Sequence, residues 1–278
     1  TDNNGCLDVD SVNIIVNDTI DPIAIPQNIN IYLDSTGSYF LDSTEVNNGS
    51  SDNCSISSFE IIGQRTYGCA DVGFTGIQMV VFDTNGNSDT ASSIINVIDT
   101  VRPNVITRNI TVSLGANGTD TITVADINNG SNDSCGIGSL VLSKTVFDCD
   151  DVGLDTVTLV VTDNNGNIDS AIAEVTVLDT WRVSAFAQSI TIFLDSNGFV
   201  AIDSNAIDAG SSDNCAIAQQ ILSQDTFDCN DLDSNLVSMI LIDPSGNRDT
   251  ASDYVVVRDI IRPIAHSYDS IKVYLDAI

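Results

Sequence analysis

The sequence has few of the side chains on which enzymes and nucleic-acid-binding proteins depend. Its 278 residues include one histidine, one tryptophan and 9 lysines and arginines, against 39 aspartates and glutamates, so the formal net charge is −30. A chain this acidic repels phosphate backbones and anionic membrane surfaces, so we expect no nucleic-acid partner. Because His266 is the single histidine, little remains for acid–base or nucleophilic catalysis, and we predict that the protein is not an enzyme.

Long apolar runs and glutamates are also scarce. No stretch approaches about 18 consecutive apolar residues, so we expect no membrane insertion. Only Glu45, Glu60 and Glu174 are glutamates, and the other acidic residues are aspartates, which favour turns and caps over helix interiors. With 42% hydrophobic residues, the chain still has enough apolar material for a core. The composition therefore favours an all-β protein with many Asp-rich turns.

An internal repeat of about 80 residues is the strongest signal in the sequence. The Asp-Thr-Asn-Gly-Asn loop at 83–87 returns in related form at 163–167 and 243–247. Asp-Thr or Asp-Ile segments that begin at residues 18, 99, 179 and 259 have the same period, and so do loops that end in cysteine at residues 54, 135 and 215. We predict complete repeats at 18–98, 99–178 and 179–258, with 1–17 ending an upstream repeat and 259–278 starting a downstream one.

Within each repeat the apolar residues have a period of two, as in strands with one buried face. Ile29, Ile31 and Leu33 alternate with polar residues, and the same alternation recurs from Ile77 to Val81. Turn residues follow at intervals of roughly 8–12 positions, which is typical of an all-β sandwich with about six or seven strands.

Six of the seven cysteines occur as one closely spaced pair in each repeat. The pairs are Cys54 with Cys69, Cys135 with Cys149, and Cys215 with Cys229. A hairpin between the members of each pair would bring both sulfurs to its open end, so we predict one intradomain disulfide per repeat, with reduced thiols as the alternative. Such a bond is worth roughly 3 kcal/mol for a loop of about 15 residues. Disulfides place the chain outside the cytosol, and we expect a partner for Cys6 upstream of the sequence.

The combined motifs resemble those of HYR-like (hyalin-repeat-related) modules. The resemblance is carried by Asn-Gly-Ser-Ser-Asp-Asn-Cys at 48–54, Thr-Phe-Asp-Cys at 226–229, Val-Thr-Asp-Asn-Asn-Gly-Asn at 161–167 and Val-x-Val-x-Asp-Thr at 175–180. Such modules recur in giant secreted surface proteins of gliding and predatory Bacteroidota. The resemblance implies tandem Ig-like β-sandwich domains at the bacterial cell surface, in adhesion, gliding, prey capture or extracellular filaments.

One departure from the family pattern concerns the first strand. Many members carry a second cysteine pair on the first and last strands, where this chain has residues such as Pro26 and Ala91. The resemblance therefore implies a first strand that is less tightly fixed and free to pair with a neighbouring domain or chain. A homo-oligomeric fibre is thus an open alternative to a single string of repeats that contact only their neighbours.

Three aspartates of each repeat fall at the end of an Ig-like sandwich where the chain enters. They are Asp18, Asp52 and Asp83, then Asp99, Asp133 and Asp163, then Asp179, Asp213 and Asp243. Carboxylates, amides and backbone carbonyls supply the oxygen ligands of calcium, so each set is a candidate calcium site that would stiffen the array. No organic cofactor is expected. The alternative is that these aspartates only form turns and keep the chain soluble.

Four short motifs resemble the O-glycosylation acceptor that Bacteroidota use in exported proteins. Each consists of Asp, then Ser or Thr, then a small or branched apolar residue. The candidate acceptors are Thr19, Thr90, Ser170 and Thr250.

The uniformity of the repeats favours a structural function. No repeat has a constellation that the others lack, as expected of spacer or shaft modules in a long extracellular adhesin or cell-surface filament. One alternative is a glycan- or protein-binding Ig-like module, which predicts an exposed aromatic cluster in one repeat. Another is an accessory region of a larger secreted enzyme.

Overall fold

The computed structural model describes residues 3–5, 7–266, 270 and 272–273. Cys6, for which an upstream partner is expected, lies outside the described residues. Strands dominate the described chain, and none of its helices is long and apolar enough to cross a membrane.

Six strands form each repeat. The first repeat has β1 (Ile29–Tyr32), β2 (Ser38–Phe40), β3 (Ile56–Ile62), β4 (Thr66–Gly68), β5 (Gly73–Asp83) and β6 (Ser88–Ile98). The second has β7 (Ile110–Ser113), β8 (Asp120–Thr121), β9 (Ile137–Leu142), β10 (Val146–Phe147), β11 (Gly153–Asp163) and β12 (Ile168–Leu178). The third has β13 (Ile190–Phe193), β14 (Phe199–Ala201), β15 (Gln219–Leu222), β16 (Thr226–Asp228), β17 (Asp233–Ile242) and β18 (Arg248–Arg258). The predicted all-β class, with three β-sandwich-like domains, is confirmed.

In the residues that the structure describes, helical structure is confined to single turns. One short helix follows the second strand of each repeat: α1 (Ser43–Val46), α2 (Val124–Ile127) and α3 (Ser204–Ile207). Two 3₁₀ turns, Cys69–Asp71 and Cys149–Asp151, follow β4 and β10. In α1, the Asp42 carboxylate caps the first turn by accepting from the Thr44 N–H at 2.8 Å, which shows the capping role expected of aspartate.

Each repeat combines a larger and a smaller sheet. In the first repeat the strand order is β1-β6-β5-β3, and in the third it is β13-β18-β17-β15. The smaller sheets pair β2 with β4 and β14 with β16. In the second repeat β7 pairs with β12, β9 with β11, and β8 with β10.

The first strand of each repeat pairs with the last strand of the same repeat. Strand β1 runs parallel to β6, with Ile29 opposite Ile95, and β7 and β13 make the equivalent parallel pairs. Pro26, just before β1, forms an isolated bridge with Asn47. The pairing ties the first strand to its own repeat, so its expected looseness is not what the structure shows.

The alternating residues build the cores as their period predicts. Ile77, Met79 and Val81 on β5 are 0–4% exposed and pack against Ile95 and Val97 on β6. A buried aromatic from the smaller sheet completes each repeat: Tyr67, Phe147 and Phe227. Complete burial of an aliphatic or aromatic side chain of this kind contributes about 1.5–3 kcal/mol.

The cysteine pairing differs from the predicted one. Cys69 bonds to Cys135 and Cys149 bonds to Cys215, each bond joining residues 66 apart in consecutive repeats. Their Cα atoms are 5.1 and 5.5 Å apart. Cys54 and Cys229 are free and exposed. The four bonded cysteines were predicted to be oxidised, but the intradomain pairs Cys54–Cys69, Cys135–Cys149 and Cys215–Cys229 are wrong.

The reason for this correction is the sheet to which each strand belongs. The prediction assumed a hairpin between the strand after Cys54 and the strand before Cys69. Instead β3 pairs with β5 in the larger sheet, whereas β4 pairs with β2 in the smaller sheet. The two cysteines of one repeat therefore lie beside strands of different sheets, and both disulfides of the described chain join consecutive repeats.

Contacts divide the chain into two compact units, each with one disulfide. One unit contains Thr1–Arg108, Val124–Ser143 and Thr158–Ala173, and the other contains Asn109–Thr123, Lys144–Val157 and Glu174–Ile278. The first holds the Cys69–Cys135 bond and the second the Cys149–Cys215 bond. Neither unit is a single repeat, so the limits 18–98, 99–178 and 179–258 stay a prediction, as do the partial repeats 1–17 and 259–278.

Candidate metal sites

The structure brings most of the predicted aspartates together in threes. Carboxylate oxygens of Asp18, Asp52 and Asp83 lie within 4.8 Å of one another, and those of Asp179, Asp213 and Asp243 do so as well. In the second repeat Asp99 and Asp133 are grouped with the Cys135 sulfur, and Asp163 is not a member of that group. This sulfur is bonded to Cys69, so two carboxylates remain there as candidate ligands.

The first aspartate of each set begins a tight turn. Its Oδ1 accepts a hydrogen bond from the backbone N–H two residues later: Ile20 at 3.0 Å for Asp18, Val101 at 2.9 Å for Asp99, and Trp181 at 3.1 Å for Asp179. Within the described residues, the Oδ2 atoms of all three aspartates are buried and have no hydrogen-bond partner of ordinary distance and angle, although an interaction with the Cys54 thiol, a weak donor, lowers the pKa of Asp18. Turn formation therefore uses one oxygen of each carboxylate and leaves the other unsatisfied.

The second aspartate of each set also uses one carboxylate oxygen in a hydrogen bond and leaves the other without a partner in the described residues. Asp213 accepts from the Cys215 N–H at 2.9 Å with Oδ2, while its buried Oδ1 has no partner. Asp52 uses Oδ2 in the same way toward Cys54 at 2.8 Å and leaves Oδ1 unpaired. Asp133 accepts from Cys135 at 2.7 Å with Oδ1 and leaves Oδ2 unpaired.

The third aspartate of each set is fully hydrogen-bonded and holds the loop against the entering chain. Asp243 is 3% exposed, and Asn247 donates to its Oδ1 from the backbone N–H at 2.8 Å and to its Oδ2 from Nδ2 at 2.7 Å. The same Nδ2 donates to the Asp179 carbonyl at 3.1 Å. Asn87 and Asn167 make the equivalent bonds. For Asp83, burial raises the pKa, but the hydrogen bonds from Asn87 and its neighbours outweigh it and lower the pKa.

The role of this asparagine was not anticipated from the sequence. The signal was present, because the last residue of the Asp-x-x-Gly-Asn loop is asparagine in all three repeats. A turn requires only the glycine and the aspartate, whereas the asparagine amide connects the loop to the linker carbonyl.

We expect Asn247→Ala to lower the stability of the third repeat by about 1–3 kcal/mol, because it leaves a buried carboxylate oxygen without its donor. The measurement is thermal unfolding in EDTA, so that no cation contributes. Asn230→Ala is the matched control, since Asn230 is exposed and only its backbone N–H bonds to Asp228. Equal melting temperatures for the two variants would contradict this role.

The unsatisfied oxygens define what the sites can bind. Eight buried side-chain nitrogen or oxygen atoms have no partner in the described residues, and six are the carboxylate oxygens above. A buried carboxylate oxygen without a donor is costly, and a hard cation with oxygen ligands would satisfy it. At the third site, the Asn214 amide nitrogen donates to Asp179 Oδ1 at 3.2 Å, and the Oδ1 of the same amide is buried without a partner. These oxygen donors fit calcium, whereas structural zinc sites use histidine and thiolate ligands.

The predicted glycosylation acceptors are accessible. Thr19, Thr90, Ser170 and Thr250 are all exposed. The last three lie on β6, β12 and β18. The aspartate preceding Thr250 is engaged, because Asp249 Oδ2 accepts from the Ala185 N–H at 2.9 Å. Modification at these positions stays a prediction.

No family model and no curated protein matches the chain. Solved structures do match. The protocadherin GammaB4 extracellular domain is 15% identical, covering 86% of this chain and 50% of that chain, with a TM-score of 0.33. Mouse cadherin-23 EC22–24 is 12% identical, covering 86% and 99%, with a TM-score of 0.36, and human CDH23 EC21–23 is 14% identical, covering 85% and 100%, with a TM-score of 0.37.

These matches are extracellular cadherin-type repeat structures, and this chain spans half the length of the protocadherin chain. At such identities and TM-scores, neither a ligand nor a function transfers to this chain. The resemblance to HYR-like modules stays a prediction from the motifs. The functional argument therefore depends on the chain's own residues.

Proposed function

We propose that the chain consists of calcium-stiffened, disulfide-linked modules that form the shaft of an extracellular adhesin or cell-surface filament. The observation that carries this proposal is the recurrence of two buried, unpartnered carboxylate oxygens at the same place in every repeat: Asp18 and Asp52, Asp99 and Asp133, Asp179 and Asp213. A feature that recurs in every repeat is expected of a structural role that all repeats share. A single ligand-binding or catalytic site would distinguish one repeat from the others.

A cation at each site would tie the entering linker to the loop that carries the second aspartate. In the third repeat it would join Asp179 to Asp213, and Cys215, two residues later, is bonded to Cys149 of the preceding repeat. The same loop would then be held by a metal ion on one side and a covalent bond on the other. Two constraints on one short loop restrict bending where consecutive repeats meet.

The remaining elements of the proposal follow from the composition and the disulfides. Disulfides persist in oxidising compartments, which supports an extracellular location, and the bacterial cell surface is inferred from the HYR-like motifs. The module acts by holding length and shape, without catalysis. Its partners are neighbouring repeats of the same chain, and association into a homo-oligomeric fibre would use the same modules.

Small-angle scattering of the chain in calcium and in EDTA, at matched ionic strength, tests the stiffening. Calcium is expected to reduce the spread of the longest interatomic distances in the molecule, because bending between repeats is reduced. Asp179→Asn with Asp213→Asn should lose the part of this change that arises at the third site. Asp225→Asn, an exposed aspartate outside the sites, should keep it. A profile that calcium leaves unchanged, although titration calorimetry shows it to bind, would exclude the stiffening role.

A further inference from the structure

Cys229 has no disulfide partner among the described residues, yet its surroundings resemble those of the disulfide-bonded Cys69 and Cys149. The Sγ of Cys229 lies 3.9 Å from the Gly198 carbonyl oxygen. In the two bonded cases, the distance is 3.8 Å from Cys69 to Gly37 and 3.5 Å from Cys149 to Gly118. The third repeat thus places its sulfur as the first and second repeats do.

A glycine makes room for the sulfur at each of these positions. Gly37, Gly118 and Gly198 have φ of 74°, 72° and 76°, which favours glycine. A Cβ added to them would lie 2.8 Å from the Cys69 sulfur, 2.9 Å from that of Cys149 and 2.9 Å from that of Cys229. In the two bonded cases, the glycine turn and the cysteine beside it form one side of the contact between consecutive repeats. The third repeat has the same arrangement at Gly198 and Cys229.

Cys54 is the corresponding half on the other side. Its backbone N–H donates to Asp52 at 2.8 Å, as Cys135 donates to Asp133 at 2.7 Å and Cys215 to Asp213 at 2.9 Å. The bonded cysteines Cys135 and Cys215 occupy the same turn. Cys54 is exposed in that turn and has no disulfide partner in the described chain.

A polar contact accompanies the disulfide in the second unit. Asn214 Nδ2 donates to the Gly115 carbonyl at 3.1 Å, beside the Cys149–Cys215 bond. The Gly115 carbonyl also accepts from the Gly118 N–H at 2.9 Å, and the Asp195 carbonyl accepts from Gly198 at the same distance. Asn53 stands one residue before Cys54, as Asn214 stands before Cys215. An equivalent hydrogen bond at Cys229 would therefore have the Asn53 amide of the docked repeat as donor and the Asp195 carbonyl as acceptor.

We propose that the surface formed by Asp195–Gly198 and Cys229 is a docking surface for the first repeat of a second copy of this chain, which it binds through a disulfide to the cysteine of that repeat's Asp-Asn-Cys loop. The first repeat of a second copy carries such a loop at Cys54. Two thiols, Cys229 and Cys54, form one S–S bond by exchange with glutathione disulfide, which is reduced to two molecules of glutathione. This inference rests on the proposed shaft function, because it identifies what a shaft module binds. The disulfide contact requires no calcium, so a negative result for it would leave the proposed calcium sites untouched.

The test uses two variants of the full chain, both with Cys6→Ser. Cys54→Ser offers only Cys229, and Cys229→Ser, produced with ¹⁵N, offers only Cys54. Equal amounts are equilibrated in a reduced and oxidised glutathione buffer with EDTA and high salt, which screens the repulsion between the acidic chains. Intact mass spectrometry under non-reducing conditions then counts the three kinds of covalent dimer.

The mixed Cys229–Cys54 dimer is expected to exceed each like-with-like dimer by at least about tenfold, because docking selects that pair. Asn53→Ala in the ¹⁵N-labelled variant should reduce the excess while leaving circular dichroism unchanged. Random pairing of equally reactive thiols gives the mixed dimer in about half of all dimers, and that result would overturn the proposal. Glutathione adducts without any dimer would overturn it as well.

Discussion

Millimolar calcium is expected to raise the melting temperature of the chain by about 5–10 °C over a sodium chloride control of equal ionic strength. A ligand present at about 100 times its dissociation constant stabilises the folded state by about 2.7 kcal/mol per site. If each of the two compact units unfolds as one cooperative body of about 150 residues, each kcal/mol corresponds to about 2–4 °C. The stabilisation arises because the cation coordinates carboxylate oxygens that the fold buries without donors.

Asparagine substitutions separate this effect from turn formation. In Asp99→Asn with Asp179→Asn, the amide oxygen can still accept from Val101 and Trp181, so both turns are retained. The second oxygen and its charge are lost. We therefore expect the variant in EDTA to be at least as stable as the parent, because the buried carboxylates are uncompensated there. It should lose the calcium response of these two sites and keep that of the Asp18, Asp52 and Asp83 site.

Asp225→Asn is the matched control for the loss of charge, because Asp225 is exposed and belongs to none of the three sets. It should respond to calcium as the parent does. If the double variant also gained the full increase in melting temperature, the aspartates would be turn formers only. Rigidity would then depend on the disulfides and on packing.

The second large effect concerns the disulfides between consecutive repeats. Peptide mapping without reduction should recover Cys69 joined to Cys135 and Cys149 joined to Cys215, and no pair within a repeat. Each bond closes a loop of 66 residues, and the chain-entropy model assigns roughly 4 kcal/mol to a loop of that length. Cys149→Ser should therefore lower the stability of the second unit by about 2–4 kcal/mol.

Cys229→Ser is the control for that substitution, because it removes an equivalent thiol that has no disulfide partner in the described chain. We expect its melting temperature to stay close to that of the parent. Recovery of a Cys135–Cys149 or Cys215–Cys229 peptide would restore the hairpin pairing and contradict the structure. An equal loss of stability for both variants would show that packing of the thiol, rather than the covalent bond, is responsible.

The sequence by itself determined the all-β class, the period-two cores and the convergence of all the candidate aspartates except Asp163. Alternation at Ile77, Met79 and Val81 leaves one buried face per strand, which is a local property of the pattern. Asp179, Asp213 and Asp243 were expected to meet because the loops of a sandwich alternate between its two ends, and the structure places them together. These inferences need only the order of the strands.

The tertiary structure alone decided the cysteine partners and the oxygens left without donors. Whether Cys69 faces Cys54 or Cys135 depends on β4 pairing with β2 instead of β3, and sheet membership is set by long-range packing. Which oxygen of Asp179 is free depends on the turn geometry that gives the other to Trp181. The sheet that a strand joins and the orientation of a carboxylate both depend on contacts between residues far apart in the sequence. The spacing of residues along the chain is compatible with more than one sheet assignment and more than one orientation.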